Sequence, residues 1–187
     1  QAAREQNTQR PLQAWPLDVT DAAAVRTRAT EILAQGPLDL VLYCAGHYRA
    51  QRATAFDLAE MELHLDSNVR GALHVLDAVL PALLARGRGH LINLGSVAGH
   101  YPYPGGNVYG GTKAFVRQFS LNLRADLAGT PIRVTDVAPG LCSGTEFSTV
   151  RFHGDAAKAA GVYANTLALT ADDIAETVFW ASTLPAH

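Results

Sequence analysis

Short apolar runs alternate with stretches of helical periodicity along the whole chain, and no other feature constrains its fold as much. Residues 13–19 (QAWPLDV), 38–44 (LDLVLYC), 90–96 (HLINLGS) and 132–139 (IRVTDVAP) read as strands. Between them, 21–35, 57–86 and 107–128 carry helical patterns, and 171–184 follows as a last helix. Such alternation needs a crossover between successive strands. Crossovers make the strands parallel and put helices on both faces of the sheet. A single α/β domain over 1–187, built on a doubly wound parallel sheet, is expected.

Local signals sharpen the elements. Gly36-Pro37 stops the first helix. LDLVLYC is apolar throughout, as suits a strand covered on both faces. The 57–86 helix shows a stripe of Leu73, Leu76, Leu80 and Leu84, and 107–128 carries Val108, Phe115, Phe119 and Leu123 on related faces. Thr170 is the expected N-cap of the last helix, with Asp172 and Asp173 in its first turn. Ligands of such sheets sit beyond the carboxyl ends of the strands. The residues to inspect are therefore Asp18-Val19, Ala45-Gly46, Gly95-Ser96 and Pro139-Gly140. A Rossmann-like nucleotide-binding sheet normally opens with a strand, a glycine-rich turn and a helix. That motif does not occur in this sequence, the first residues read as a helix tail, and the chain closes at LPAH where another strand is due. The expectation is a Rossmann-like sheet lacking its first βαβ segment and its last strand.

Composition narrows the class of function. A formal net charge of -2, with Lys and Arg spread along the chain, argues against nucleic acid or an anionic membrane as a partner. No apolar run approaches the ~20 residues of a membrane span, and the polar opening QAAREQNTQR is unlike a signal peptide. The two cysteines, Cys44 and Cys142, have no partners at metal spacing, which suits a reducing, cytoplasmic setting. His90, His100 and His153 are scattered and fit surface or loop positions better than a metal site, so no metal is expected.

Tyr109 and Lys113 stand four apart on a helix and so project from one face. A free tyrosine titrates near ~10, too high for easy proton exchange at neutral pH. A neighbouring ammonium favours the phenolate, and the pair can then act as general acid or base on a carbonyl/alcohol couple. Ser96, at the end of the preceding strand, can hold the substrate oxygen while charge shifts on it. The pair alone is weak evidence: six tyrosines and two lysines produce one by chance about one time in fifteen.

The setting adds weight. GSVAG, then VYGGTKAF with Ser96 thirteen residues before Tyr109, then DVAPG, resembles the short-chain dehydrogenase/reductase family. The resemblance implies an NAD(P)-dependent oxidoreductase acting on CH–OH groups, with Ser96, Tyr109 and Lys113 catalytic. It implies that Tyr109 protonates the carbonyl oxygen in reduction and that Lys113 also grips the nicotinamide ribose. Asn68, in LDSNVRGAL, would hold a relay water, and it also fits a helix-kink residue bonded to backbone. By the same resemblance Asp18 and Val19 contact the adenine, although Asp18-Val-Thr-Asp also suits a helix N-cap region. Cys44, Ala45 and Gly46 follow the fourth strand of the family, where Asn-Asn-Ala-Gly is usual, so Tyr43-Cys44 departs from it. Pro139, Gly140, Leu141 and Thr145 match the segment at the nicotinamide and pyrophosphate.

Residues 100–187 are similar to the NADP-dependent 3-hydroxy acid dehydrogenase/malonic semialdehyde reductase branch, which also acts on L-allo-threonine and serine. This implies NADP, with NAD not excluded, a small 3-hydroxy acid or related alcohol, and a homodimer or homotetramer formed through the two long helices. Arg151, in the segment that follows Pro-Gly, could pair with a substrate carboxylate or face solvent. Two alternatives stand beside this: a non-catalytic or truncated scaffold of the same fold, and a nucleotide-sugar epimerase relative, which would need a longer substrate domain.

Overall fold

The computed structural model describes residues 13–185; the helix tail expected within 1–12 and the last two residues of LPAH lie outside them. Asp21 accepts hydrogen bonds from the amides of Ala23 and Ala24 and so starts α1 (Ala22–Ala34). β1 (Leu40–Tyr43) follows, then a 3₁₀ turn (Ala53–Ala55) and α2 (Leu58–Leu65), capped by Asp57. A π-helical turn (Asp66–Arg70) joins α2 to α3 (Gly71–Arg86), which Gly87 ends in the left-handed region at φ 66°. β2 (Gly89–Leu94), a 3₁₀ turn (Val97–Gly99), α4 (Asn107–Asp126) and β3 (Ile132–Val137) come next. The chain continues through β4 (Cys142–Ser143), α5 (Phe147–Arg151), α6 (Ala156–Gly161), β5 (Leu169–Thr170) and α7 (Ala171–Thr183). Thr170 and Asp173 form a reciprocal capping box at the start of α7, as the sequence led one to expect.

The main sheet is parallel in the order β1-β2-β3, with Leu40 opposite His90 and Gly89 opposite Ile132. β4 and β5 form a second parallel pair. One face of the main sheet carries the core, where Ala29 of α1, Val79 and Leu83 of α3 and Leu123 of α4 close over Leu91, Ile132 and Val134. α7 packs on β3 on the other side, and Arg133 donates to the Ser182 and Leu184 carbonyls there. Helices thus cover both faces of a parallel sheet, as expected for a Rossmann-like doubly wound fold.

Five details differ from the sequence reading. Residues 13–19 form no strand, and Trp15 and Leu17 remain exposed, because among the described residues no strand lies alongside to complete a ladder. β1 is covered on one face only. Val41 turns to the core, while Leu40 and Leu42 stay exposed towards a cavity in front of α7. The buried line of α3 is Ala72, Val79 and Leu83, with Leu73 and Leu84 outside. Leucines surround this helix on several sides, so their spacing alone did not choose the inner face. His90 is a buried strand residue whose Nε2 meets Thr135 Oγ1 at 2.8 Å. Finally, the helical run Leu58–Arg86 is long and apolar enough, by length and composition, to cross a membrane. Here it spends its inner face on α1, α4 and the sheet.

Candidate active site

The carboxyl ends of β1, β2 and β3 deliver the site. β2 passes through Gly95 to Ser96, whose hydroxyl oxygen accepts from the Ala98 amide at 3.1 Å and fixes the 3₁₀ turn. α4 then carries Tyr109, Thr112 and Lys113 on its buried side, where the sequence placed the pair. Lys113 is 8 % exposed and its Nζ donates to the Leu94 carbonyl at 2.7 Å. The same Nζ lies 5.8 Å from the centre of the Tyr109 ring.

Asn68 is 1 % exposed and sits on the π-helical turn. Its Oδ1 accepts from the His47 amide at 2.7 Å, and its Nδ2 donates to the His47 carbonyl at 2.9 Å and to Thr112 Oγ1 at 3.0 Å. Asn68 therefore ties the loop after β1 to α4, next to Gly46, through bonds to the His47 backbone and the Thr112 hydroxyl. Tyr43, which departs from the family's asparagine, supplies a different bond: its hydroxyl donates to the Ser67 carbonyl at 2.5 Å, in the turn that presents Asn68.

Two cavities meet at Ser96 and Tyr109. The larger, about 640 Å³, is lined by Leu40, Leu42, Cys44, Gly95, Pro139, Gly140 and Thr145 and is closed by α7. The smaller, about 330 Å³, is lined by Tyr48, Tyr101, Pro102, Tyr103 and Val162. Ser96, Tyr109, Gly140, Leu141, Phe147 and Arg151 belong to both. The larger cavity has the place, at the strand ends, and the mostly apolar walls that a nicotinamide ring needs. Gly46 approaches Lys113 and Asn68 so closely that a Cβ there would lie 3.2 Å from Asn68 Oδ1. Asp18 and Val19 line neither cavity. Asp18 is satisfied locally by Thr20, at 2.8 Å from both its amide and its hydroxyl. The Val19 carbonyl meets His74 Nδ1 at 3.0 Å.

The electrostatics differ from the simple pair expected. Burial pushes the Tyr109 phenol up to about 12, against a downward pull from the Ser96 hydroxyl and a smaller one from Arg151. Burial also brings Lys113 down to about 8, while Asp136 and Cys44 hold it up. Lys113 is therefore not among the groups that depress Tyr109. Its ammonium is turned onto the Leu94 carbonyl, and desolvation of the phenol outweighs the charges nearby. Tyr109 is a protonated donor at neutral pH in this arrangement.

Tyr48 and Asp136 carried no sequence signal, whereas Arg151 was singled out by its place after Pro-Gly. Tyr48 stacks on Tyr109, with ring centres 4.2 Å apart and planes 23° from parallel. The Arg151 guanidinium sits 4.9 Å from the Tyr48 ring centre, 5.5 Å from Tyr103 and 4.8 Å from Phe152. Its Nε is buried without a hydrogen-bond partner. Asp136 lies behind Lys113 with Oδ1 likewise unpaired. The clustering of Tyr101 and Tyr103 in HYPYPGG, directly before α4, was the one available hint of an aromatic wall.

The sequence model of the short chain dehydrogenase family matches residues 1–155. The chain is 51% identical over 173 residues to NADP-dependent 3-hydroxy acid dehydrogenase YdfG of Salmonella typhi, across 91% of this chain and 70% of that protein. It is 48% identical over 174 residues to sulfoacetaldehyde reductase 2 of Chromohalobacter salexigens, across 91% and 69%. Among solved structures, the closed form of a serine dehydrogenase complexed with NADP+ superimposes with a TM-score of 0.88 at 47% identity, covering 100% of this chain and 76% of that one.

Proposed function

The chain belongs to the short-chain dehydrogenase family, and from that premise we propose that it catalyses hydride transfer between NADP(H) and a small 3-hydroxy acid or its carbonyl counterpart. The observation that carries the choice of substrate is Arg151, a cation on the wall of the cavity that also holds Ser96 and Tyr109. The relatives' names point the same way: a 3-hydroxy acid, serine and sulfoacetaldehyde all carry an anionic acid group close to the reacting carbon. A guanidinium offers such a group two parallel hydrogen bonds.

NADP, when bound, supplies or accepts the hydride. Cys44, Ala45, Gly46, Pro139, Gly140, Leu141 and Thr145 would hold its nicotinamide half, and Lys113 would turn its ammonium to the ribose. Asp18 and Val19 would meet the adenine, as the family resemblance implies. Within the chain, the Ser96 hydroxyl donates to the substrate oxygen and Tyr109 delivers the proton to it in reduction. Asn68 holds His47 and Thr112 in place and would present a relay water. Association of copies through α3 and α4 is part of the proposal; Leu73, Leu84 and Leu121 are exposed there, and light scattering would measure it.

The test is steady-state oxidation of 3-hydroxypropanoate and serine with NADP. Tyr109→Phe should abolish turnover with an unchanged melting profile, and Arg151→Gln should raise KM for the acids with little effect on a neutral alcohol. Near-normal rates in Tyr109→Phe, or equal use of acids and neutral alcohols by the wild type, would overturn the assignment. A non-catalytic scaffold would show neither turnover nor NADPH binding.

A further inference from the structure

We propose that Tyr48 is the positioning residue that sets substrate selectivity: its ring joins Tyr109 to Arg151, and so fixes how far the acid group of the substrate lies from the reacting carbon. This rests on the assignment of Arg151 as the acid-binding cation. Tyr48 is 3 % exposed in the loop after β1. Its ring stacks on Tyr109 at 4.2 Å and carries the Arg151 guanidinium at 4.9 Å. The sum of these two spacings is the upper limit on the distance between the phenol ring and the guanidinium carbon. Stacked rings and cations over ring faces each hold their partner's orientation as well as its distance.

The backbone around Tyr48 is tied to the same site from both sides. His47 is clamped by Asn68 through its amide and its carbonyl. The Arg49 amide donates to His64 Nε2 at 2.9 Å, and the Ala50 amide donates to the Arg151 carbonyl at 3.0 Å. The Tyr48 hydroxyl donates to the Gly105 carbonyl at 3.2 Å, in the loop that starts α4. Tyr48 cannot shift without moving at least one of Asn68, Tyr109 and Arg151. The guanidinium lies against aromatic rings and lines the cavity that also holds Ser96 and Tyr109. A short acid with its carboxylate there can still bring its alcohol to Tyr109 and Ser96. A neutral ester gains nothing from the cation.

The experiment compares kcat/KM for 3-hydroxypropanoate and for its methyl ester, with NADP as acceptor. Tyr48→Phe keeps the ring and is expected to stay within threefold of wild type in the acid-to-ester ratio. Tyr48→Met fills the space without a π face, and is expected to lose at least tenfold in that ratio, together with a lower kcat on both compounds. Fluorinated phenylalanines incorporated at position 48 keep the shape while weakening the ring's hold on a cation. The ratio is expected to fall with each added fluorine, which keeps the proposal testable if Tyr48→Met does not fold. A ratio unchanged in Tyr48→Met or across the fluorinated series overturns the proposal, whatever the absolute rates. So does a Tyr48→Phe as unselective as Tyr48→Met. A wild type without acid preference overturns the Arg151 assignment itself; a wild type with the preference and a Tyr48→Met that retains it overturns only the role of Tyr48.

Discussion

Gly99→Ala should damage the active site without touching a functional group. Gly99 ends the 3₁₀ turn that follows Ser96 and lies directly on the backbone of α4. A Cβ there would stand 2.7 Å from the carbonyl carbon of Lys113, and 2.8 Å from both the Lys113 oxygen and the Ala114 nitrogen. Ordinary contact begins at 3.4 Å, so the turn and the helix must part by about 0.7 Å. Both neighbours are backbone, so no side chain can swing away to relieve the clash. Overpacking of this kind costs about 1–3 kcal/mol, or roughly 2–12 °C of melting temperature for a domain of this size. Parting also moves Ser96 away from Tyr109 and Lys113, and a displacement approaching 1 Å costs on the order of 10²-fold in rate. The expected outcome is a kcat lowered about 10- to 100-fold with a folded protein, read by steady-state kinetics beside a thermal melt. Gly111→Ala, on the same helix with nothing within 4 Å of the new methyl group, is the control and should gain about 0.5–1 kcal/mol. Wild-type kcat and melting temperature in Gly99→Ala would refute the reasoning.

Three further outcomes are expected. Asp136→Asn removes the carboxylate that does most to hold the Lys113 charge against burial, so the lysine should titrate below its present value of about 8. The chain has two lysines, Lys113 and Lys158, so ¹³C-lysine NMR gives two signals, with the exposed Lys158 as internal control; an unmoved Lys113 curve would exclude the coupling. His90 is buried neutral and titrates near 4 instead of 6.5. The unfolded chain binds the extra proton first, so stability is lost as pH falls from 6.5 through 4, by up to about 3 kcal/mol. Urea melts against pH should show that slope, and His90→Leu should flatten it. Leu83→Ala, at a fully buried core position, should cost about 3–5 kcal/mol in the same urea assay with kcat little changed.

Much of this protein was legible in its sequence because the signals are local. Strand–helix alternation dictated parallel strands, since only a crossover can join them. Gly36-Pro37 and Thr170 announced helix ends because capping involves bonds within a few residues. The four-residue spacing placed Tyr109 and Lys113 on one helix face, and strand ends marked Ser96 and the Pro139-Gly140 turn. The tertiary structure decided the rest. Residues 13–19 are apolar enough for a strand, but a strand exists only with a neighbour to bond. The inner face of α3 followed from its contacts with α1 and the sheet, because leucines on several sides left the choice open. His90 is buried because of its place on a central strand, which no pattern around it revealed. Proximity in sequence suggested that Lys113 would depress Tyr109. Burial of both groups and the Leu94 carbonyl set their charges differently, since desolvation depends on everything packed around a side chain. The stack of Tyr48 between Tyr109 and Arg151 joins residues 61 and 103 positions away from it, and only the folding of one loop and two helices around one cavity brings them together.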